Sequence, residues 1–125
     1  KKITIASDFQ TDFLSGQLIP IIELVEMTKA HLDLLTINTA HKDLSMQERI
    51  HKRHLKNRLR HFTPSFSTHF NKGSVSGGLL DYCRDEEVDM LCMQARSTNG
   101  IARLLQDSVS KDLLLKTHLP IVIIK

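Results

Sequence analysis

Five short apolar runs alternate with four stretches of helical period, and this leaves the chain few folds to choose from. The runs are KITIAS (residues 2–7), LDLLTIN (32–38), the more alternating FSTHFN (66–71), VDMLCM (88–93) and PIVIIK (120–125). Near-continuous apolar runs of this length suit parallel strands that are buried on both faces. The last is almost purely β-branched and so a strong strand former. Between the runs, Leu18, Ile21, Ile22 and Val25 share one helical face, and Pro20 is expected in the first turn of that helix, where its missing N–H costs nothing. Residues 43–62 turn Ile50, Leu55, Leu59 and Phe62 toward a core, and residues 74–87 turn Leu79, Leu80 and Cys83 the same way. Residues 100–118 do so with Ile101, Leu104, Leu105, Val109, Leu113 and Leu114. The paired Gly77 and Gly78 weaken the third helix but let its start approach another backbone closely. The order βαβαβαβαβ predicts an α/β fold: a doubly wound five-stranded parallel sheet with helices on both faces and right-handed crossovers.

With 125 residues, no internal repeat and no long linker, residues 1–125 read as one domain large enough to bury a core. No run approaches the roughly 18 apolar residues of a membrane span, and no secretory signal is visible. Cys83 and Cys92 lack the spacing of a zinc site or disulfide framework, so a reduced, cytoplasmic protein is expected. The net charge of +3 does not by itself call for nucleic acid. The chain opens KKITIAS without an initiator Met, which fits a processed start or a piece of a longer, tandem protein.

Ligands of such sheets bind beyond the carboxyl ends of the strands, where the winding reverses. The first strand ends in Ser7 and Asp8, and the fourth exits into the loop from Gln94 to Gly100. Asp8 either accepts hydrogen bonds from a ribose or base, or simply caps the turn that follows. Arg96, Ser97, Thr98 and Asn99 can meet an anion, or form a solvated loop that turns at Asn99–Gly100. Composition alone does not separate these readings. No Ser-His-Asp order, Walker motif or nucleophile elbow is present, and no enzyme is expected.

From the SDF that closes the first strand to the final PIVIIK, the chain resembles the universal stress protein family. AHLDLLTIN is similar to the family's second-strand pattern, and VDMLCMQARSTNGIARLLQDSVSKDLLLKTHLPIVIIK is similar to its most diagnostic part. The resemblance implies the strand order 3-2-1-4-5 and an adenine-nucleotide alpha-hydrolase-like fold. It also places Asp8 where the family contacts nucleotide, and a second-strand contact at Ile37. Nucleotide-binding members carry Gly, two residues, Gly, nine residues, Gly, then Ser or Thr. Those positions fall here on Gln94, Ser97, Asp107 and Ser108, so only the Ser is kept. A Cβ and a long side chain at 94 obstruct the close approach that glycine allows. A carboxylate ~4 Å from a phosphate charge repels it by about 4 kcal/mol at an effective dielectric near ~20.

ATP binding is therefore expected to be weak or absent, with no cofactor. The alternative is an AMP or ATP module using Asp8, Ser7, Ile37, Gln94, Ser97 and Ser108, with Arg96 as a substitute cation. The expected function is a stress-response regulatory domain acting through a homodimer or a tandem-domain pair. The contact would be the fifth strand, Ile121, Val122, Ile123 and Ile124, since a β-branched edge seeks a partner. The family resemblance implies the same surface.

Residues 42–60 hold seven Lys or Arg against Asp43 and Glu48, and His51, His54 and His61 join them. This helix reads as a solvated basic face that can attract an acidic partner or another domain. His51 and His54 stand three apart, but a zinc site would need more ligands than the sequence offers nearby. Nucleic acid is not expected, because among the aromatics only Phe62 is near.

Overall fold

Strand β1 (Lys2–Ser7) takes the middle of the sheet, paired in parallel with β2 (His31–Asn38) on one side and β4 (Met90–Gln94) on the other. The computed structural model describes residues 1–7, 9, 11–38, 43–70, 75–94 and 119–124. Strand β3 (Ser65–Phe70) pairs with β2, and β5 (Ile121–Ile124) pairs with β4, both in parallel. The order is β3-β2-β1-β4-β5, as expected from the alternation and the family resemblance. The winding reverses between β1 and β4, so their carboxyl ends flank the crevice of a doubly wound sheet.

Two cores cover the two faces. Helices α1 (Ser15–Thr28) and α2 (Met46–Leu59) bury Leu18, Ile21, Val25, Leu55 and Leu59 against Ile3, Ile5, Leu32, Leu34 and Cys92. Helix α3 (Val75–Asp85) buries Leu79 and Cys83 against Ala6, Leu35, Leu91 and Met93 on the other face. This division follows from the period of two along each strand. The expected helix over 100–118 lies outside the described residues.

Three details differ from the sequence reading. Pro20 stands inside α1, six positions in, and not in its first turn. The helix starts earlier because the Gln17 side chain folds back, its Oε1 accepting from the Leu14 N–H at 2.8 Å. Strand β4 starts at Met90, not Val88. Glu87 is left-handed (φ 53), its N–H bonds Arg84 O, and the Val88 N–H bonds Cys83 O at 2.9 Å. That closes a Schellman motif on α3, with Val88 and Cys83 buried in the same cluster, so Val88 belongs to the cap. In α2 the buried row is His51, Leu55 and Leu59, while Ile50 is only half-buried. Ser45 sets this phase, accepting from the Glu48 N–H at 3.1 Å while Glu48 Oε1 accepts from the Ser45 N–H at 2.8 Å.

Asp33 is fully buried on the α3 face, where an ionised carboxylate has only acceptors to offer. Thr4 Oγ1 donates to it at 3.2 Å, Ser65 Oγ at 2.9 Å and Ser67 Oγ at 3.1 Å, and the Tyr82 hydroxyl completes the set. Burial, then the bond to Asp33, pushes the Tyr82 phenol well above its usual range. The same buried interior governs the cysteines. Burial pushes Cys92 up to about 12, and burial followed by the Asp33 charge pushes Cys83 up to about 11. Both thiols are therefore expected to resist iodoacetamide at pH 8 in the folded protein and to react within minutes once it is denatured. Stoichiometric labelling of the native chain, read by mass spectrometry, would contradict the burial.

Candidate functional site

The crevice is built on the last residues of β1 and β4. Ser7 is buried, and its Oγ accepts the Phe9 N–H at 2.9 Å, a tight side-chain turn that ends the strand. Phe9 takes a left-handed backbone (φ 60), a costly conformation for a bulky residue. It is held there by burial of its ring and by a bond to its carbonyl from α2. Phe13, further along the loop, is also fully buried.

Gln94 closes the crevice from the β4 side. It is 3% exposed, and both ends of its amide are engaged. Its Oε1 accepts from Thr11 Oγ1 at 3.0 Å, and its Nε2 donates to the Asp12 carbonyl at 3.0 Å. The side chain at the strand exit is thus a tie between β4 and the loop after β1. A glycine at this position would leave both loop groups without these partners.

Helix α2 grips the same loop from the other side. His51 Nδ1 lies 2.6 Å from the Phe9 carbonyl, and its Nε2 lies 3.0 Å from Gln47 Nε2. A carbonyl only accepts, so the proton sits on Nδ1 and Nε2 takes the amide hydrogen of Gln47. His54 Nδ1 is 3.0 Å from Asp12 Oδ2. Arg58 reaches the Phe13 carbonyl through Nη1, which is also 3.7 Å from Asp12 Oδ1. The basic helix is therefore more than a solvated face: its 51, 54 and 58 row fastens the loop that follows β1. His51 gives Nδ1 to this loop and Nε2 to Gln47 of its own helix, and no metal-holding cluster is found among the described residues.

Of the residues singled out from sequence, the structure brings Ser7 and Gln94 to the same loop. Ile37 stands in β2 opposite His69 of β3, its side chain not described. Asp8, Arg96, Ser97, Asp107 and Ser108 lie outside the described residues. Sequence reasoning missed Thr11, Asp12, His51 and Arg58 as neighbours of the crevice. For His51 the signal was present, since it falls four and eight residues before Leu55 and Leu59. Thr36 was missed as well. It pairs in register with Ser7, is 3% exposed, and its Oγ1 is the buried side-chain polar atom left without a partner among the described residues.

A model of the Universal stress protein family matches residues 18–125. No curated protein matches the chain. Among solved structures, the chain is similar to a universal stress protein from Archaeoglobus fulgidus, with TM-score 0.63 and 15% identity over 99% of this chain and 93% of that one. The structure of the universal stress protein from the same organism in complex with dAMP gives TM-score 0.61 and 15% identity, covering 99% and 97%. A universal stress protein in complex with cAMP gives 0.60 and 13%, covering 100% and 96%. At these identities the likeness carries the fold.

Proposed function

Because the chain belongs to the universal stress protein family, we propose that it is a regulatory stress-response domain whose phosphate loop is degraded and which holds little or no ATP. The observation that carries this reading is the Gln94 tie. An amide bonded to Thr11 and the Asp12 carbonyl occupies the strand exit where nucleotide-binding members keep glycine. Asp107, at the position of the family's third glycine, adds a negative charge beside Ser108, where a polyphosphate would lie. With no cofactor to bind, the domain would act by pairing, as a homodimer or with a tandem domain, and not as an enzyme. Strand β5 is the surface we assign to that pairing. It is a sheet edge, and Ile121, Val122 and Ile123 are half-buried there. We further take residues 1–125 as one domain working in the cytoplasm; no helix among the described residues is long and apolar enough to cross a membrane.

Thr36 favours a second reading. A buried hydroxyl without a partner costs about 1–3 kcal/mol, and this one stands beside Ser7 and one residue before Ile37. A small ligand in the crevice would satisfy it. AMP is the nucleotide that asks least of the altered phosphate loop, with Asp8, Ser97 and Ser108 as its contacts and Arg96 as the cation. Two of the similar solved proteins are complexes with dAMP and with cAMP.

Calorimetric titration with ATP and with AMP, Mg²⁺ present, separates the readings. The degraded-site reading expects no ATP heat up to millimolar concentration. Micromolar binding of ATP would overturn it and make the domain a nucleotide sensor. Binding of AMP alone would support the second reading.

A further inference from the structure

The outer face of α2 carries a second row of cations that the crevice does not use. Arg49, Lys52, Arg53 and Lys56 follow the spacing i, i+3, i+4, i+7, so they share one face of the helix. With Phe66 of the edge strand β3 they line an open pocket of about 460 Å³. Like charges at this spacing destabilise a helix. Among the described residues none of the four makes an ion pair. Glu48 is engaged at the helix cap and Asp12 on the opposite row, leaving Asp43 as the pocket's one carboxylate against four cations.

Two of the cations are also held in place. Arg49 Nε donates to the Leu44 carbonyl at 3.1 Å, fixing its guanidinium plane. Lys56 Nζ sits 5.1 Å from the centroid of the Phe66 ring, which is 44% exposed. Burial, and then the neighbouring Lys56, lowers the Lys52 pKa, as expected for an ammonium crowded among cations without a counter-charge.

We propose that this pocket is a binding site for a compact polyanion, a di- or triphosphate group held by Arg49, Lys52, Arg53 and Lys56. The size of the array argues for a compact ligand. Seven residues of helix rise about 10 Å, the span of a short phosphate chain, and the volume is that of a site for one small molecule. A single-stranded nucleic acid would want several aromatic platforms along a longer groove, whereas the pocket has one ring. The site is independent of the crevice, because β3 lies two strands away from β1 at the edge of the sheet.

The test titrates the chain with inorganic tripolyphosphate, with ADP and with a ten-nucleotide oligo-dT, in low and in high salt. The double variant Arg53→Ala/Lys56→Ala removes two exposed side chains and leaves the core intact. Tripolyphosphate is expected to bind the natural chain, to weaken as salt is raised, and to lose about tenfold in affinity per cation removed. Arg84→Ala, which removes one cation from α3, should leave binding unchanged. ADP binding tighter than tripolyphosphate, with the excess lost in Phe66→Ala, would support a nucleotide as the source of the phosphates. Equal binding would support an inorganic chain. Absence of tripolyphosphate binding overturns the proposal, as does binding that survives the double variant and so sits elsewhere. Oligo-dT binding that tripolyphosphate does not compete away also overturns it.

Discussion

Replacing Asp33 by alanine is expected to lower the midpoint of thermal unfolding by about 10 °C or more, the largest loss of stability for any single polar side chain described in this chain. The carboxylate is fully buried and collects the hydroxyls of Thr4, Ser65, Ser67 and Tyr82 from three further elements, β1, β3 and α3. Hydrogen bonds to a charged group contribute about 1.5–3 kcal/mol each, and a buried donor left unmet costs about 1–3 kcal/mol. The losses are not additive, since Ser65 Oγ also lies 2.9 Å from His31 Nε2 and keeps that partner. A net of ~3 kcal/mol is a conservative sum, and a domain of this length loses about 4 °C per kcal/mol. Asp33→Asn preserves the shape and one acceptor oxygen, and should lose less than half as much. Circular dichroism melts of the three proteins decide it. A shift of under 2 °C for the alanine variant would mean that the four hydroxyls find other partners at no cost.

That Asp33 network also marks where a one-dimensional reading stops. The apolar run LDLLTIN was enough to place β2, but nothing in it says that its Asp faces Ser65 and Ser67, more than thirty residues on. Those contacts exist only once the parallel register is set. The strand order was legible because alternation and crossover handedness leave few alternatives, among which the family resemblance implies the one observed. Boundaries slipped where a local hydrogen bond outbid periodicity, as at Val88, whose N–H closes the α3 cap. At the crevice, Gln94 was singled out from sequence, yet its amide partners Thr11 and Asp12 lie more than eighty residues back. The two working rows of α2 looked like one solvated charge run. Its pattern says which residues share a face, but the packed neighbours of each face, the β1 loop for one and Phe66 for the other, come from topology alone.

The double substitution Gln94→Gly/Asp107→Gly is expected to raise ATP affinity by about three decades, from no measurable binding toward the micromolar range. The two changes act on different obstacles. Removing the Gln94 side chain abolishes its bonds to Thr11 Oγ1 and the Asp12 carbonyl, so the loop after β1 loses one of its two fastenings and the strand exit opens to a phosphate. The second fastening, from His51, His54 and Arg58, stays in place and keeps the loop folded. On the degraded-loop reading, removing the Asp107 carboxylate takes away a repulsion of about 4 kcal/mol, the value for charges ~4 Å apart at an effective dielectric near ~20, and that energy is about three decades in Kd. Gln94→Gly alone should therefore gain little, because the charge remains. It should also cost the fold about 1–2 kcal/mol, for two lost bonds and a more flexible strand end. The informative pattern is opposite movement of two quantities, with stability falling by calorimetry while ATP affinity rises by titration. If the double variant is destabilised and still binds no ATP, phosphate repulsion at the β1–β4 crevice is not what keeps nucleotide out, and the degraded-loop reading falls with it.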